Sequence, residues 1–514
     1  MPNDAKNLDA TLSRALDLER EGRTAEALEA FAECLAIAPT HARTHHHAAM
    51  ASVKLDDWAK AIAHLRVAVA AAPQVAEGWM YLASALHRVG HVDDADRLAR
   101  QALAMKTGLS GAWNTLGLVA LDRGRHEEAL THFQHALAIE PGLAPARMNI
   151  GCCEHAVGRD DEAIASFNAA LALDPSLAAA RYNLGALHHK RGRYAEAIRH
   201  YREAIALRPT DEQPHFNLAL ALFSTGLFEE GWNEYAWRPE RRELASVVRR
   251  QGVARAAIHG EQGLGDVLFF LRFAAALRER GTTLDFVGDA RLHPMLARTG
   301  LFAALATRLE ELDAASRDVI LAGDLPTPSA QTPPPLTLTA DPKRLAALRE
   351  RLSALGPGPY IALAWRSGQP KSGRIDNLYK EVPLDLLGKA LRAAKATWIS
   401  VQRDPKPGEI ETLGRAIGAQ VHDFSGVNAD LEEALALLAA VDEYVGVSST
   451  LVHLHAGVGG RARVVVPFPY EWRWMESGET SPWFPRAAIY RQAADGDWGA
   501  ALDRLARDLG PTNR

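Results

Sequence analysis

Small and apolar residues recur every 34 positions through the first half of the chain. Within each period, two stretches place apolar residues three and four positions apart, which is the spacing of one helix face, and glycine or proline follows most of these stretches. The pattern therefore predicts a series of helix pairs. The recurring positions are alanines (Ala27, Ala61, Ala95, Ala129, Ala163, Ala197), glycines (Gly22, Gly90, Gly124, Gly158, Gly192, Gly226) and prolines (Pro39, Pro73, Pro141, Pro175, Pro209).

The unit Ser110–Pro141 illustrates one period. Trp113 and Leu116 share a face of the first helix, and Phe133 continues the apolar stripe on the second. This order of small, aromatic and proline positions resembles the tetratricopeptide repeat, and the resemblance covers residues 8–238 as six repeats and a capping repeat. The resemblance implies an all-α superhelix whose concave groove binds other polypeptides.

The last repeat unit differs from the others because it lacks the closing proline and is rich in aromatic residues. We interpret it as a capping repeat that joins the array to the next domain. Trp232, Tyr235 and Trp237 are then expected to pack at that junction.

Asparagines also follow the 34-residue period, at Asn149, Asn183 and Asn217. An amide can donate to and accept from one peptide unit, so such a ladder suits a groove that binds an extended backbone. The alternative is that these amides form hydrogen bonds within the array.

The pattern changes to alternating strands and helices after residue 253. Short apolar runs are followed by glycine-rich turns and amphipathic helices, which is typical of a parallel α/β sheet. A proline-rich stretch divides this half in two. We expect one lobe over residues 253–345 and a second over 358–512, with a cleft between them.

Four motifs in the second half appear in a characteristic order: GEQGLGDVLFFLRF, ALAWRSG, EYVGVSSTLVHLHAG and PYEWRWMESGETSPWFPRAAIYRQ. This order resembles the bacterial proteins that join tetratricopeptide repeats to a GT-B glycosyltransferase domain related to the ADP-heptose transferases of family nine. The architecture is also similar to that of the O-linked N-acetylglucosamine transferases. The implied fold is a multidomain chain, an all-α superhelix followed by an α/β GT-B-like pair of Rossmann-like lobes.

The same resemblance implies a metal-independent glycosyltransferase without a cofactor. Its donor would be a nucleotide-diphosphate sugar, and its acceptor a protein, a peptide or a cell-surface glycan recruited by the repeats. The sequence leaves the sugar, the nucleotide and the stereochemical outcome open.

The first motif places Asp266 at the start of a helix, after Gly263 and Gly265. Glycines in such a turn let the backbone approach a ligand closely. In the resembled heptosyltransferases the matching Asp is the candidate base for the acceptor hydroxyl, a role open to a carboxylate that is ionised at neutral pH. The alternative is that Asp266 caps the helix.

The third motif places Ser448, Ser449 and Thr450 between a strand and a helix. Free N–H groups and hydroxyls at a helix start bind phosphate, and open α/β sheets bind ligands at this end of their strands. In the resembled families this segment holds the donor diphosphate, and His453 matches a family position that faces the site. Val447 or Ser448 stands where those families carry Asp. The alternative is an ordinary Ser/Thr helix cap.

The second motif leads into a basic segment that could neutralise a diphosphate leaving group. The candidates are Arg366, Lys371, Arg374 and Lys380, of which we single out Arg366 and Lys380. The alternative is a solvated surface loop.

The fourth motif is dense in aromatic residues that could line a sugar pocket or form the core of the second lobe. Glu471 or Arg473 within it could touch a ligand. The aromatic residues are Trp472, Trp474, Trp483 and Phe484.

Composition narrows the class of protein. The formal net charge is −5, with no broad basic field, which argues against nucleic acid as a partner. The chain has only 3 cysteines and shows neither a signal-peptide core nor a membrane-spanning apolar run, so we expect a cytoplasmic location.

A second functional hypothesis is a non-catalytic scaffold whose GT-B domain has degenerated. The missing Asp near Ser448 and the short first lobe favour it, whereas the retained GLGD and HLHAG sequences favour an enzyme. An open cleft flanked by Asp266 and Ser449 would support the enzyme. A cleft filled by side chains would support the scaffold.

Overall fold

The computed structural model describes residues 2–248, 254–313, 317–327, 332–368 and 379–510. The chain divides into two compact units, Met1–Leu184 and Gly185–Arg514. The division lies within a helix of the array, upstream of the boundary at 238 that we predict from the sequence, and our domain boundaries stay predictions.

The described part of the first unit is entirely helical, as the 34-residue pattern predicts. Successive helices form antiparallel pairs, one pair for each period. The helices are α1 (Pro2–Arg20), α2 (Thr24–Ile37), α3 (Ala42–Lys54), α4 (Trp58–Ala71), α5 (Ala76–Arg88), α6 (Val92–Met105), α7 (Ser110–Asp122), α8 (His126–Ile139), α9 (Ala144–Ala156), α10 (Asp160–Leu173) and α11 (Ala178–Lys190), which continues into the second unit.

Two recurring glycines explain how a pair such as α7 and α8 closes. Gly124 ends the first helix of its pair in the left-handed region, with a φ of +70°, where a side chain would be strained. Gly117 lets the two helices of the pair approach closely, because a Cβ atom at this position would overlap the ring of Phe133. Phe133 and Ala129 are fully buried, so the apolar stripe read from the sequence is the core of the pair.

The second unit begins with the last repeats. They comprise α12 (Tyr194–Leu207), α13 (Glu212–Ser224) and α14 (Phe228–Tyr235), followed by the short α15 (Pro239–Glu243). Trp232 and Tyr235 pack against Phe270 of the α/β region, with ring centroids 6.2 and 5.8 Å away. Trp237 instead stacks on His215 of α13 at 4.3 Å. Two of the three aromatic residues expected at the junction therefore lie there.

A four-stranded parallel sheet follows, in the order β3-β2-β1-β4. Its central strand β1 is buried along its middle, as expected for a sheet covered on both faces. The strands are β1 (Arg255–His259), β2 (Thr283–Val287), β3 (Ala304–Ala306) and β4 (Asp318–Leu321), and the helices are α16 (Leu264–Leu271), α17 (Ala274–Glu279) and α18 (His293–Thr299).

The second sheet has seven strands in the order β12-β13-β11-β10-β5-β8-β9, and every pairing except β12 with β13 is parallel. An antiparallel ribbon of β6 and β7 is separate from it. The strands are β5 (Tyr360–Ala364), β6 (Arg366–Ser367), β7 (Lys380–Glu381), β8 (Thr397–Ser400), β9 (Val421–Asp423), β10 (Glu443–Gly446), β11 (Arg461–Val466), β12 (Thr480–Ser481) and β13 (Phe484–Arg491). The helices are α19 (Pro342–Ser353), α20 (Leu384–Leu391), α21 (Glu409–Ile417), α22 (Leu431–Ala440), α23 (Thr450–Gly457) and α24 (Gly499–Leu509).

A buried ion-pair network ties the capping repeat to the loop after β1. Arg238, which follows α14, donates to Glu261 at 2.9 Å and to Asp324 at 2.7 Å. The side chains of Arg238 and Glu261 are fully buried. Glu261 also accepts from the backbone N–H groups of Ala322 and Gly323, each at 2.9 Å. The network therefore places the loop that leads to Asp266.

Replacing Glu261 with Gln should strongly destabilise the second unit. The change leaves the buried Arg238 with one carboxylate instead of two, and breaking a buried pair from one side costs about 3–5 kcal/mol. Urea denaturation followed by tryptophan fluorescence measures the loss. Glu279→Gln, at an exposed position of α17, is the matched control. Equal stability of the two variants would contradict the assigned role of the network.

Replacing His189 with Phe should make stability less dependent on pH. The ring is buried against Tyr194, and burial lowers the pKa of His189 to about 4. When the pH falls below 6.5, the usual pKa of histidine, the unfolded chain binds a proton at His189 that the native protein does not bind. Stability therefore falls as the pH falls. The loss for this group reaches about 2 kcal/mol at pH 5. Urea denaturation at pH 7.5 and 5 should show a smaller decrease for His189→Phe than for the wild type. The exposed His91→Phe should behave like the wild type, and an unchanged decrease in His189→Phe would contradict the prediction.

Candidate functional site

Asp266 lies in the first turn of α16 and does not cap it. The cap residue is Gly263, and no side chain accepts a hydrogen bond there. The Asp266 carboxylate instead accepts from Arg473 at 2.5 Å. The Asp266 side chain keeps 37% of its surface exposed, whereas that of Arg473 keeps 8%. The candidate base is therefore held by a buried guanidinium and remains open to solvent.

The VGVSST segment follows the central strand β10 and leads into α23, as the sequence predicts. Ser449 is the helix cap, and its hydroxyl accepts from the N–H of Leu451 at 3.3 Å. Ser448 is buried and its hydroxyl donates to Glu471 at 2.9 Å. Thr450 begins the helix and is partly exposed. The capping alternative thus describes Ser449, while Ser448 faces a carboxylate.

Of the two basic residues singled out from the sequence, the structure brings only Lys380 to this place. Lys380 begins β7, and its ammonium group lies 2.6 Å from Glu471 and 3.4 Å from the carbonyl oxygen of Ser448. Arg366, on the neighbouring strand β6, pairs with Glu409 at 2.5 Å and donates to the carbonyl oxygen of Asp404. Its role in binding a donor is therefore not supported by its position.

The two other basic candidates of the sequence, Lys371 and Arg374, lie outside the residues that the structure describes.

Glu471 is at the centre of a cluster of polar side chains formed with Lys380, Ser448, Arg473 and Asp266. Its carboxylate accepts from Lys380, from Ser448 and from Arg473, the last at 2.7 Å. Burial raises the pKa of Glu471, but the charges of Lys380 and Arg473 outweigh burial and hold the pKa well below its usual range. The carboxylate is therefore ionised at all physiological pH values. The sequence marked this residue only as one of two that could touch a ligand.

His453 forms the wall between α23 and α16. A Cβ atom at Gly265 would lie 3.2 Å from the His453 ring, which explains the glycine there. The imidazole is buried, and its Nδ1 has no hydrogen-bond partner among the described residues. Burial, with the charges of Arg473 and Arg272, holds the pKa of His453 well below its usual value. The ring is therefore neutral at physiological pH.

Arg272 is a functional candidate that the sequence analysis missed. It is buried between the rings of Phe269 and Phe484, with its guanidinium carbon 4.4 and 5.0 Å from their centroids. It donates to the carbonyl oxygens of Phe269 and Trp483, and no carboxylate pairs with it among the described residues. Burial and the charge of Arg473 lower its pKa to about 9, so it stays cationic. An arginine inside the apolar run VLFFLRFAAAL was the available signal.

Little empty space lies beside Glu471 and its partners Lys380 and Ser448. A cavity of about 30 Å³, lined in part by Lys380, Ser448, Glu471 and Trp474, is room for one or two water molecules. The aromatic residues of the fourth motif form core, as one of our two interpretations expects. Trp472, Trp474, Trp483 and Phe484 are all buried.

Two of the three periodic asparagines, Asn149 and Asn183, direct their amides toward other residues of the array. Asn149 is buried and donates to Asn114 at 3.2 Å. The Asn183 amide lies 3.5 Å from the sulfur of Cys152. Asn217, in the second unit, is 4% exposed. These positions favour the alternative that the asparagines form hydrogen bonds within the array, and a peptide-binding ladder stays a prediction.

Across the described ranges, every helix is too short or too polar to cross a bilayer.

Family models match the repeat region of the chain. Tetratricopeptide-repeat models match residues 18–85, 108–176 and 166–199, and a further TPR-repeat model matches residues 187–226. The tetratricopeptide repeats predicted from the sequence are therefore confirmed.

Among curated proteins, the chain is similar to Protein FlbA of Caulobacter vibrioides, with 26% identity over 322 residues. The match covers 56% of this chain and 53% of FlbA, so the chain spans about half the length of that relative.

Among solved structures, the thermophilic tetratricopeptide protein TTC0263 of Thermus thermophilus is 26% identical, with a TM-score of 0.32, over 35% of this chain and 98% of that one. PilW, described as a widely conserved type IV pilus biogenesis factor, is 22% identical, with a TM-score of 0.35, over 40% and 97%.

Replacing Gly446 with Ala should disrupt the strand that carries the VGVSST segment. Gly446 ends β10, and a Cβ atom there would overlap the carbonyl oxygen of Ala364 on β5. Backbone atoms cannot move aside as a side chain can, so we expect a loss of about 3 kcal/mol or more. Gly426→Ala is the control, since nothing lies within 4 Å of a Cβ atom at that position. Thermal denaturation measures both, and a Gly446→Ala protein as stable as the control would refute the close approach.

Proposed function

We propose that the chain is a glycosyltransferase that transfers a sugar from a nucleotide-diphosphate donor to a polypeptide bound by the tetratricopeptide repeats. The observation that carries the proposal is the proximity of four residues that come from three separate sequence motifs. Asp266, Lys380 and Ser448 contact the ion pair of Glu471 and Arg473, and the His453 ring lies beside Gly265, next to Asp266.

Asp266 supplies the base in this proposal. The acceptor hydroxyl oxygen attacks the anomeric carbon of the sugar, and the bond between that carbon and the phosphate oxygen breaks. The hydroxyl proton passes to the Asp266 carboxylate, and the nucleoside diphosphate leaves with the bonding electrons. The exposure of Asp266 gives an acceptor access to it, and the contact with Arg473 keeps the carboxylate in one orientation.

The leaving group would be stabilised on the other side of the cluster. Lys380 and the N-terminus of α23 supply positive charge and free N–H groups, and the hydroxyls of Ser448 and Thr450 supply further donors. The buried Arg272 adds a charge that no carboxylate among the described residues neutralises. This excess of positive charge favours an anionic ligand.

The repeats give the proposal its acceptor. Tetratricopeptide arrays present a concave surface to protein partners, and this chain carries such an array before the α/β region in sequence. A polypeptide acceptor therefore fits better than a small free sugar.

A scaffold without catalysis is the second candidate, and one observation favours it. Lys380 and Ser448 are already paired with Glu471, and the cavity that they line holds only one or two water molecules. On this hypothesis the repeats alone act, by binding a partner protein.

A panel of UDP-, GDP-, ADP- and CMP-linked sugars separates the two candidates. We expect one class to raise the melting temperature of the wild type, because a ligand that binds only the native state stabilises it. The shift should be lost in Lys380→Met and kept in Lys389→Met, whose lysine is exposed on α20. Asp266→Asn should keep the shift but lose transfer of labelled sugar by about 100-fold or more. Absence of any shift in the wild type would favour the scaffold.

A further inference from the structure

The carboxylate of Glu471 occupies a position that is built to hold an anion. It accepts from an ammonium group, a hydroxyl and a guanidinium, at 2.6 Å from Lys380, 2.9 Å from Ser448 and 2.7 Å from Arg473. These three donor types also bind phosphate oxygens in proteins. Two of the three, Lys380 and Ser448, are the groups that the proposed function assigns to the donor diphosphate. An internal carboxylate thus holds the donors that a ligand would need.

We infer that Glu471 is an internal competitor for the anion site, and that a diphosphate binds between Lys380 and Ser448 only when the Glu471 carboxylate leaves. This inference rests on the proposed function and adds a gate to it. An ionised carboxylate beside Lys380 both occupies the donors and repels an incoming anion. The closed arrangement and the small cavity are then the resting state of a binding site.

The charges around the site agree with such an exchange. Arg272, Arg473 and Lys380 are cationic, while Asp266 and Glu471 are anionic, which leaves one excess positive charge. Removal of Glu471 from the cluster leaves two. The diphosphate of a nucleotide sugar, with one negative charge on each phosphate, balances both positive charges, whereas Glu471 balances only one.

The Glu471 carboxylate can move away from Lys380 and Ser448 while the core residues beside it stay in place. Residues 467–471 between β11 and the buried Trp472 are each only partly buried. Arg473 retains Asp266 as a partner when Glu471 departs. The Glu471 side chain keeps 13% of its surface exposed, so the movement requires this one side chain to rotate outward to solvent while Trp472 remains packed in the core.

Inorganic pyrophosphate is the probe for this gate. Isothermal titration calorimetry should show that Glu471→Gln binds pyrophosphate at least about tenfold more tightly than the wild type, because the competing charge is gone. The gain should disappear in the double variant Glu471→Gln with Lys380→Met. Glu479→Gln removes an exposed carboxylate eight residues after Glu471 and should leave the affinity unchanged.

A conservative variant covers the case in which Glu471→Gln does not fold. Glu471→Asp keeps the charge near Arg473 but is one methylene too short to contact Lys380 and Ser448 as well, so its affinity should also exceed that of the wild type. Circular dichroism establishes which variants are folded. Folded Glu471→Gln or Glu471→Asp that binds pyrophosphate no more tightly than the wild type overturns the gate.

The outcome is separate from that of the nucleotide-sugar panel. Tight pyrophosphate binding by Glu471→Gln, with no nucleotide sugar bound by any variant, supports the gate and refutes the transferase. Nucleotide-sugar binding by the wild type with no gain in Glu471→Gln supports the transferase and refutes the gate.

Discussion

A charge that leaves water must meet an opposite charge or a set of hydrogen bonds, and the α/β region is arranged around this requirement. The loop after β1 meets this requirement at the buried Glu261, and Asp266, in the first turn of α16 and 37% exposed, is paired as well. Glu261 is buried against Arg238 at the end of the capping repeat, and Asp266 pairs with Arg473, which follows β11. The position of the candidate base follows from two ion pairs rather than from the loop itself.

Much of the fold could be predicted because its signals are local. A 34-residue period specifies helix pairs through a glycine such as Gly124 and a ring such as Phe133, which act within one unit. The strands and helices of the second half follow in the same way from short apolar runs and glycine turns. The asparagines show the limit, because a period places Asn149 on a helix face but not at a buried hydrogen bond with Asn114.

The site could be predicted only in part, because charged side chains choose their partners in three dimensions. Lys380 and Arg366 looked equivalent in sequence, yet Arg366 is taken by Glu409, more than forty positions later in the chain. Arg272 and Glu471 became candidates only when burial and their neighbours were known. The sequence motifs predicted which segments form the candidate site, but the ion pairs within it were visible only in the structure.

The ion pair between Arg238 and Glu261 also sets where the array can change in length. Arg238 and Arg241, which pair with Glu261 and Asp324, both follow α14, so 34-residue units of the first compact unit can be added or removed without removing either arginine. The capping repeat has no such freedom, because its loss would strand two buried carboxylates. The length of the array can therefore change at its N-terminal end while these two arginines keep their buried carboxylate partners.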